Sequence, residues 1–138
     1  MIIGIGIDLL LNKRITKLIG KFEKKFLDRI FTKNELADYH KKFGVLKKSN
    51  INSINFLAKR YASKEAFSKA VGVGIGRGFD FVDIEIFNDK FGKPHIKIIN
   101  NKELVVKKIL KCKKFNIHLS ISDEKTIAGA VVIIEKIL

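Results

Sequence analysis

The sequence predicts an α+β fold, a largely antiparallel sheet packed on a long central helix. Three observations carry that expectation. Residues 57–71 are rich in Ala, Lys, Glu, Arg and Leu and contain neither Pro nor Gly. Within them Leu57, Tyr61, Ala62, Ala66, Phe67 and Ala70 recur at three- and four-residue steps, the spacing of one buried helical stripe. Residues 2–8 and 115–122 alternate in the two-residue period of strands, and 127–135 is an apolar run long enough for a central strand.

At 138 residues, 46% of them apolar, the chain suits a single domain, 1–138, with a real core. Lysine and arginine outnumber acids 28 to 14, a net +14, and that excess predicts a polyanionic partner. The lone cysteine, Cys112, excludes an intrachain disulfide. Asp8 interrupts the apolar N-terminal run far short of a membrane span, and no basic leader precedes it. The expectation is a cytoplasmic protein that does not insert in a membrane.

Taken in order, Ile3, Ile5 and Ile7 face away from Gly4, Gly6 and Asp8 in the first strand. Glycines there let another backbone or a ligand approach closely. Asp8 ends the strand, where it can cap the next helix or serve a site. Residues 12–30 read as one or two amphipathic helices broken near Gly20, with Ile15, Leu18, Ile19, Phe22 and Phe26 inward and a ring of lysines outside. Thr32-Lys33-Asn34-Glu35 is a capping box for a helix ending at Gly44. Residues 45–50 form a polar loop, and Asn50 or Ser53 caps the central helix. Gly72 to Gly78 follows a helix and lacks the Gly-Lys-Ser/Thr ending, so it reads as a C-cap and flexible connection rather than a phosphate loop. Residues 79–87 and 95–99 form a hairpin across the turn 88–94. Residues 101–112 form a short helix with Leu104, Val105, Ile109 and Leu110 inward. The last two strands flank a turn at 123–125.

Two isolated carboxylates stand out, Asp8 and Glu65. Lys69 lies one turn beyond Glu65 on the same side, and Lys64 and Arg60 form a basic ridge alongside. A carboxylate among cations is either a salt-bridged surface or a site for a hard cation and phosphates, since magnesium is held by one or two carboxylates together with substrate phosphates. Spacing alone leaves both open. No His-Cys cluster suggests zinc, and no Gly-x-Ser-x-Gly or Cys-His arrangement suggests an acyl-transfer nucleophile.

Three segments together resemble the holo-acyl-carrier-protein synthases, the bacterial 4'-phosphopantetheinyl transferase family. They are Ile3-Gly4-Ile5-Gly6-Ile7-Asp8; Phe56 to Ala66 with Lys69-Ala70 and the following glycines; and His118 to Glu124 leading into the last strand. Gly92-Lys93-Pro94 stands where the family has the same triplet. The resemblance runs through the whole chain in order.

The resemblance implies magnesium-dependent transfer of 4'-phosphopantetheine from coenzyme A to a serine of apo-acyl carrier protein, releasing adenosine 3',5'-bisphosphate, a step of fatty acid biosynthesis. By similarity Asp8 and Glu65 hold the metal, with Asp8 also the first candidate for the serine proton. Lys69 neutralises or protonates the leaving phosphate. Arg60, Lys64, the triplet Gly92, Lys93 and Pro94, and His118 contact coenzyme A. Asp123 stands where many members have a second histidine. Arg14, with Lys17, Lys21 and Lys24, corresponds to the docking face for the acidic carrier protein. Related two-domain transferases form the site between two copies of this unit, so one copy implies a homotrimer with sites at its interfaces. The rival reading is a basic nucleic-acid-binding module. It calls for a recognition helix, a zinc module or aromatics interleaved with arginine; here the eleven Phe mostly hold apolar periodic positions and lysine predominates.

Overall fold

The computed structural model describes residues 1–45 and 50–138. The chain runs β1 (Ile2–Leu11), α1 (Asn12–Phe22), α2 (Lys24–Ile30), α3 (Lys33–Phe43), α4 (Ile51–Val71), a 3-10 turn at Phe81–Asp83, β2 (Ile84–Asn88), β3 (Pro94–Ile98), α5 (Glu103–Leu110), β4 (Phe115–Asp123) and β5 (Ile127–Lys136). Strands β1, β5 and β4 form an antiparallel sheet in that order, and β2–β3 forms a separate antiparallel ribbon. The predicted α+β architecture is present, with β5 at the centre of its sheet.

Helix α4 packs along β1 and β5 on one side and meets α1, α3 and β2 on the others. Surrounded in this way, it buries Leu57, Ala58, Ala62, Ala66 and Phe67 almost completely. Val132 and Ile134 of β5 close the core from the sheet side. The Oδ1 atom of Asn50 accepts from the backbone N–H groups of Asn52 and Ser53, which starts the helix. Gly72, left-handed at φ 92°, ends it by donating its N–H to the Ser68 carbonyl. The Thr32–Glu35 capping box forms as expected. The predicted loop 45–50 lies largely outside the described residues.

Three boundaries and one buried face differ from the sequence reading. Strand β1 continues three residues past Asp8, because Leu9, Leu10 and Leu11 keep pairing with Gly129, Ala128 and Ile127. Asp8 is therefore within the strand and caps no helix. The break between α1 and α2 falls at Glu23, not Gly20; Glu23 adopts φ 43° while its N–H bonds the Ile19 carbonyl. Residues 81–83 wind into a 3-10 turn because the Asp83 carboxylate accepts from Asp80 N–H and the Asp83 N–H donates back to the Asp80 carbonyl. On α5 the buried residue is Val106, whereas Leu104 is 69% exposed.

Candidate active site

The site grows from the contact of β1 with α4. Gly4 and Gly6 turn toward the helix, and a Cβ at either would run into backbone, the carbonyl of Ala70 at Gly4 and that of Ala66 at Gly6. Only glycine permits so close an approach. The strand runs against the helix direction, so two residues further on, Asp8 arrives beside Glu65. Lys69 reaches back across the same contact. Its ammonium donates to Asp8 Oδ1 at 3.0 Å and to the Ile7 carbonyl at 2.9 Å. The Asp8 side chain is 15% exposed and that of Lys69 53%, so the pair opens toward solvent from a sheltered carboxylate.

Glu65 shares this corner. Partial burial, then the charge of Asp8, push its carboxyl above the usual range, against the pull of Arg14 and Lys69. A partly buried carboxyl held up by a neighbouring carboxylate is a place where a cation is welcome. Arg14 of α1 completes the rim, its guanidinium carbon 5.8 Å from the centre of the Tyr61 ring. Tyr61 is held by Phe26 and Phe81, and burial followed by the Glu65 charge raises its hydroxyl pKa. Among the described residues no cluster of three or more His, Cys, Asp or Glu side chains exists. Two partly sheltered carboxylates at a cleft edge fit magnesium, which completes its shell with phosphate oxygens and water.

The other predicted site residues divide. Lys64, expected against phosphate, points into the protein instead. Its side chain is fully buried, and its ammonium donates to Glu35 at 2.6 Å and to the carbonyls of Ile30 at 2.6 Å and Phe81 at 3.1 Å. Burial lowers its pKa against the attraction of Glu35. Arg60 is enclosed likewise. It is 5% exposed, its guanidinium lies 3.4 Å from the centre of the Phe56 ring, and Nη1 donates to the Phe56 carbonyl. Burial brings it down to about 10. On so enclosed a helix, positions 60 and 64 face other elements rather than water, and the supposed ridge is an internal brace.

Gly92, Lys93 and Pro94 form the turn of the β2–β3 ribbon. Gly92 adopts φ 81°, and Asp89 Oδ1 accepts from the N–H groups of Phe91 and Lys93. His118 is exposed on β4, 3.0 Å from Glu135. It pairs through Ile133 to Ile5, on the sheet face away from α4, whereas Asp8 pairs with Ala130 on the face toward it. The sheet thus separates His118 from Asp8, Glu65 and Lys69 within one chain. Lys17, Lys21 and Lys24 are exposed along α1 and the start of α2, in series with Arg14. Behind them a groove of about 850 Å³ is lined by Leu18, Phe22, Phe26, Tyr61, Ile75 and Phe81.

With this geometry in view, the comparisons with known proteins are decisive. The family model of the 4'-phosphopantetheinyl transferase superfamily matches residues 4–130. The chain belongs to that superfamily. A holo-[acyl-carrier-protein] synthase of Pelagibacter ubique is 41% identical over 135 residues, 98% of each chain. Among solved structures, the holo-[acyl-carrier-protein] synthase of Neisseria meningitidis superposes with a TM-score of 0.82 at 38% identity, covering 99% of this chain and 100% of that one. The Bacillus anthracis holo-(acyl-carrier-protein) synthase, solved in complex with CoA (3',5'-ADP), gives a TM-score of 0.78 at 39% identity over 99% and 98% of the two chains. These relatives establish an enzyme of the phosphopantetheinyl transferase class with the predicted fold.

Two features of the site were not read from the sequence. Periodicity places Tyr61 in the core stripe, yet it carries Arg14 to the edge of the carboxylate pair. The sequence shows Glu35 only as half of a capping box, yet it also anchors Lys64 and accepts from the Ile86 N–H at 2.9 Å. The signal for the second was present: a helix-capping carboxylate also supplies the charge that a buried lysine requires.

Proposed function

We propose that this chain transfers 4'-phosphopantetheine from coenzyme A to a serine of apo-acyl carrier protein, with Asp8 and Glu65 as ligands of magnesium. The observation that carries the reading is the convergence of Asp8, Glu65 and Lys69 at the β1–α4 contact. Magnesium held by the two carboxylates would supply positive charge to the pyrophosphate oxygens. In the transfer the serine oxygen bonds to the phosphorus bearing pantetheine, and the bond from that phosphorus to the bridging oxygen breaks. The electron pair leaves with adenosine 3',5'-bisphosphate, and the serine proton passes to Asp8. Lys69, half exposed above Asp8, meets the charge that develops on the departing phosphate. Arg14, Lys17, Lys21 and Lys24 attract and orient the acidic carrier protein.

The site is completed by a second copy. His118 lies across the sheet from the carboxylates, so it serves a site only on a neighbouring chain. The same outer face carries Ile5, Ile7, Leu9 and Leu11, each between 48% and 68% exposed, an apolar row that calls for cover. A homotrimer with three interfacial sites satisfies both observations, and Gly92-Lys93-Pro94 joins His118 in holding coenzyme A. The test is direct: the protein is incubated with magnesium, coenzyme A and apo-carrier protein. Stoichiometric release of adenosine 3',5'-bisphosphate is expected; carrier protein left unmodified would overturn the reading.

A further inference from the structure

We propose that a second basic surface, around the C-terminal end of α5, docks onto a bilayer of anionic lipids. A shallow depression of about 900 Å³ lies there. Lys107, Lys108, Lys111, Lys113, Lys114 and Lys136 line it, and no acidic residue does. Glu103 pairs with Lys107 alone, at 2.6 Å, leaving five of these ammonium groups outside any ion pair among the described residues.

The floor is aliphatic. Leu104, on the first turn of α5, is 69% exposed and Ile137 40%. Leu104 is no loose end of the core, because α5 already packs through the buried Val106, with Val105 and Ile109 against Gly78.

This surface is separate from the carrier-docking face. The Lys136 N–H donates to the Met1 carbonyl and the Ile137 N–H to that of Lys114, which fixes the depression at the Met1 end of β1. Helix α1 leaves from the opposite end, after Leu11. A ten-residue strand puts about 30 Å between them. The patch also lies beyond the Ile5–Leu11 row assigned to contact between copies.

The chemistry of the lining selects the partner. It contains no arginine and no aromatic residue, so it lacks the planar forks and stacking surfaces that grip nucleic acid. Lysines on flexible stems around exposed aliphatic side chains match a phospholipid boundary. The ammonium groups meet headgroup phosphates while Leu104 and Ile137 enter the acyl margin.

The test is co-sedimentation of the full chain with vesicles of phosphatidylglycerol and phosphatidylcholine, and with phosphatidylcholine alone. Binding to the anionic vesicles that weakens with salt is expected. The triple variant K108Q/K113Q/K114Q should bind about tenfold or more weakly, while the equally discharged K33Q/K41Q/K42Q on α3 retains binding. Leu104→Ser should weaken what survives at high salt. Transfer activity in solution is unaffected by K108Q/K113Q/K114Q, so failure here is distinguishable from failure of the enzymatic reading. No binding at low salt, equal loss in both triple variants, or equal binding to neutral vesicles would overturn the proposal. So would tighter binding to single-stranded RNA that is lost in K108Q/K113Q/K114Q.

Discussion

Gly6 rests against the carbonyl of Ala66 with no room for a side chain between them. That contact sets the spacing of β1 and α4, and with it the distance from Asp8 to Glu65. Gly6→Ala is therefore expected to cost about 1–3 kcal/mol by overpacking and to lower magnesium-dependent activity beyond what the stability loss explains. Urea unfolding and turnover measured side by side check this; a stable, fully active Gly6→Ala would separate the glycine from the site.

Lys64 and Glu35 form a buried ion pair whose members also take up the ends of α2, the 3-10 turn and β2. Lys64→Ala leaves Glu35 charged and unpaired, with an expected loss of about 3–5 kcal/mol. Denaturant midpoints report it. A Lys64→Ala as stable as the wild type and defective only in coenzyme A affinity would contradict the buried role of Lys64.

The exposed row of Lys17, Lys21 and Lys24 predicts a split by substrate. Neutralising the three to Gln raises KM for the carrier protein several-fold and leaves coenzyme A affinity nearly unchanged. Added salt acts on the wild type in the same direction. Initial rates with each substrate varied in turn decide it, and equal effects on both substrates would count against a docking face.

Because the sheet stands between His118 and the carboxylates, Glu65→Gln should disable its own chain's site and His118→Ala a neighbour's, so the two variants should complement each other. Co-refolded in equal amounts, they should restore about a quarter of the wild-type sites, as random assortment of neighbours in a closed ring gives. Activity no greater than that of the separate variants would place the whole site within one chain.

Much of this was legible from periodicity. Alternation in residues 2–8 placed Asp8 on the glycine face, and the three- and four-residue steps of α4 placed Glu65 beside Lys69. What periodicity could not show was how many sides of α4 are covered. A charged residue off the apolar stripe reads as solvent-facing, as Arg60 and Lys64 do; only the packing of α2, α3 and the 3-10 turn reveals them as internal. The strand expected at 79–83 failed for a different reason. Apolar alternation there competes with Asp80 and Asp83, whose bonds to nearby backbone favour a tight turn. The separation of His118 from Asp8 depends on strand register, which no single segment contains.

The most direct test is to follow Glu65→Gln by thermal unfolding and by mass analysis of the carrier protein, with and without magnesium. Burial and Asp8 both oppose ionisation of Glu65, so the folded protein binds its proton more tightly than the unfolded chain does. Without metal, wild-type stability should fall as pH rises from the ordinary carboxylate value through the raised one. Glu65→Gln should remove that fall and melt higher at neutral pH, show no response to magnesium with coenzyme A, and leave the carrier protein in its apo form. Normal magnesium-dependent modification by Glu65→Gln would contradict the assignment of the carboxylate pair.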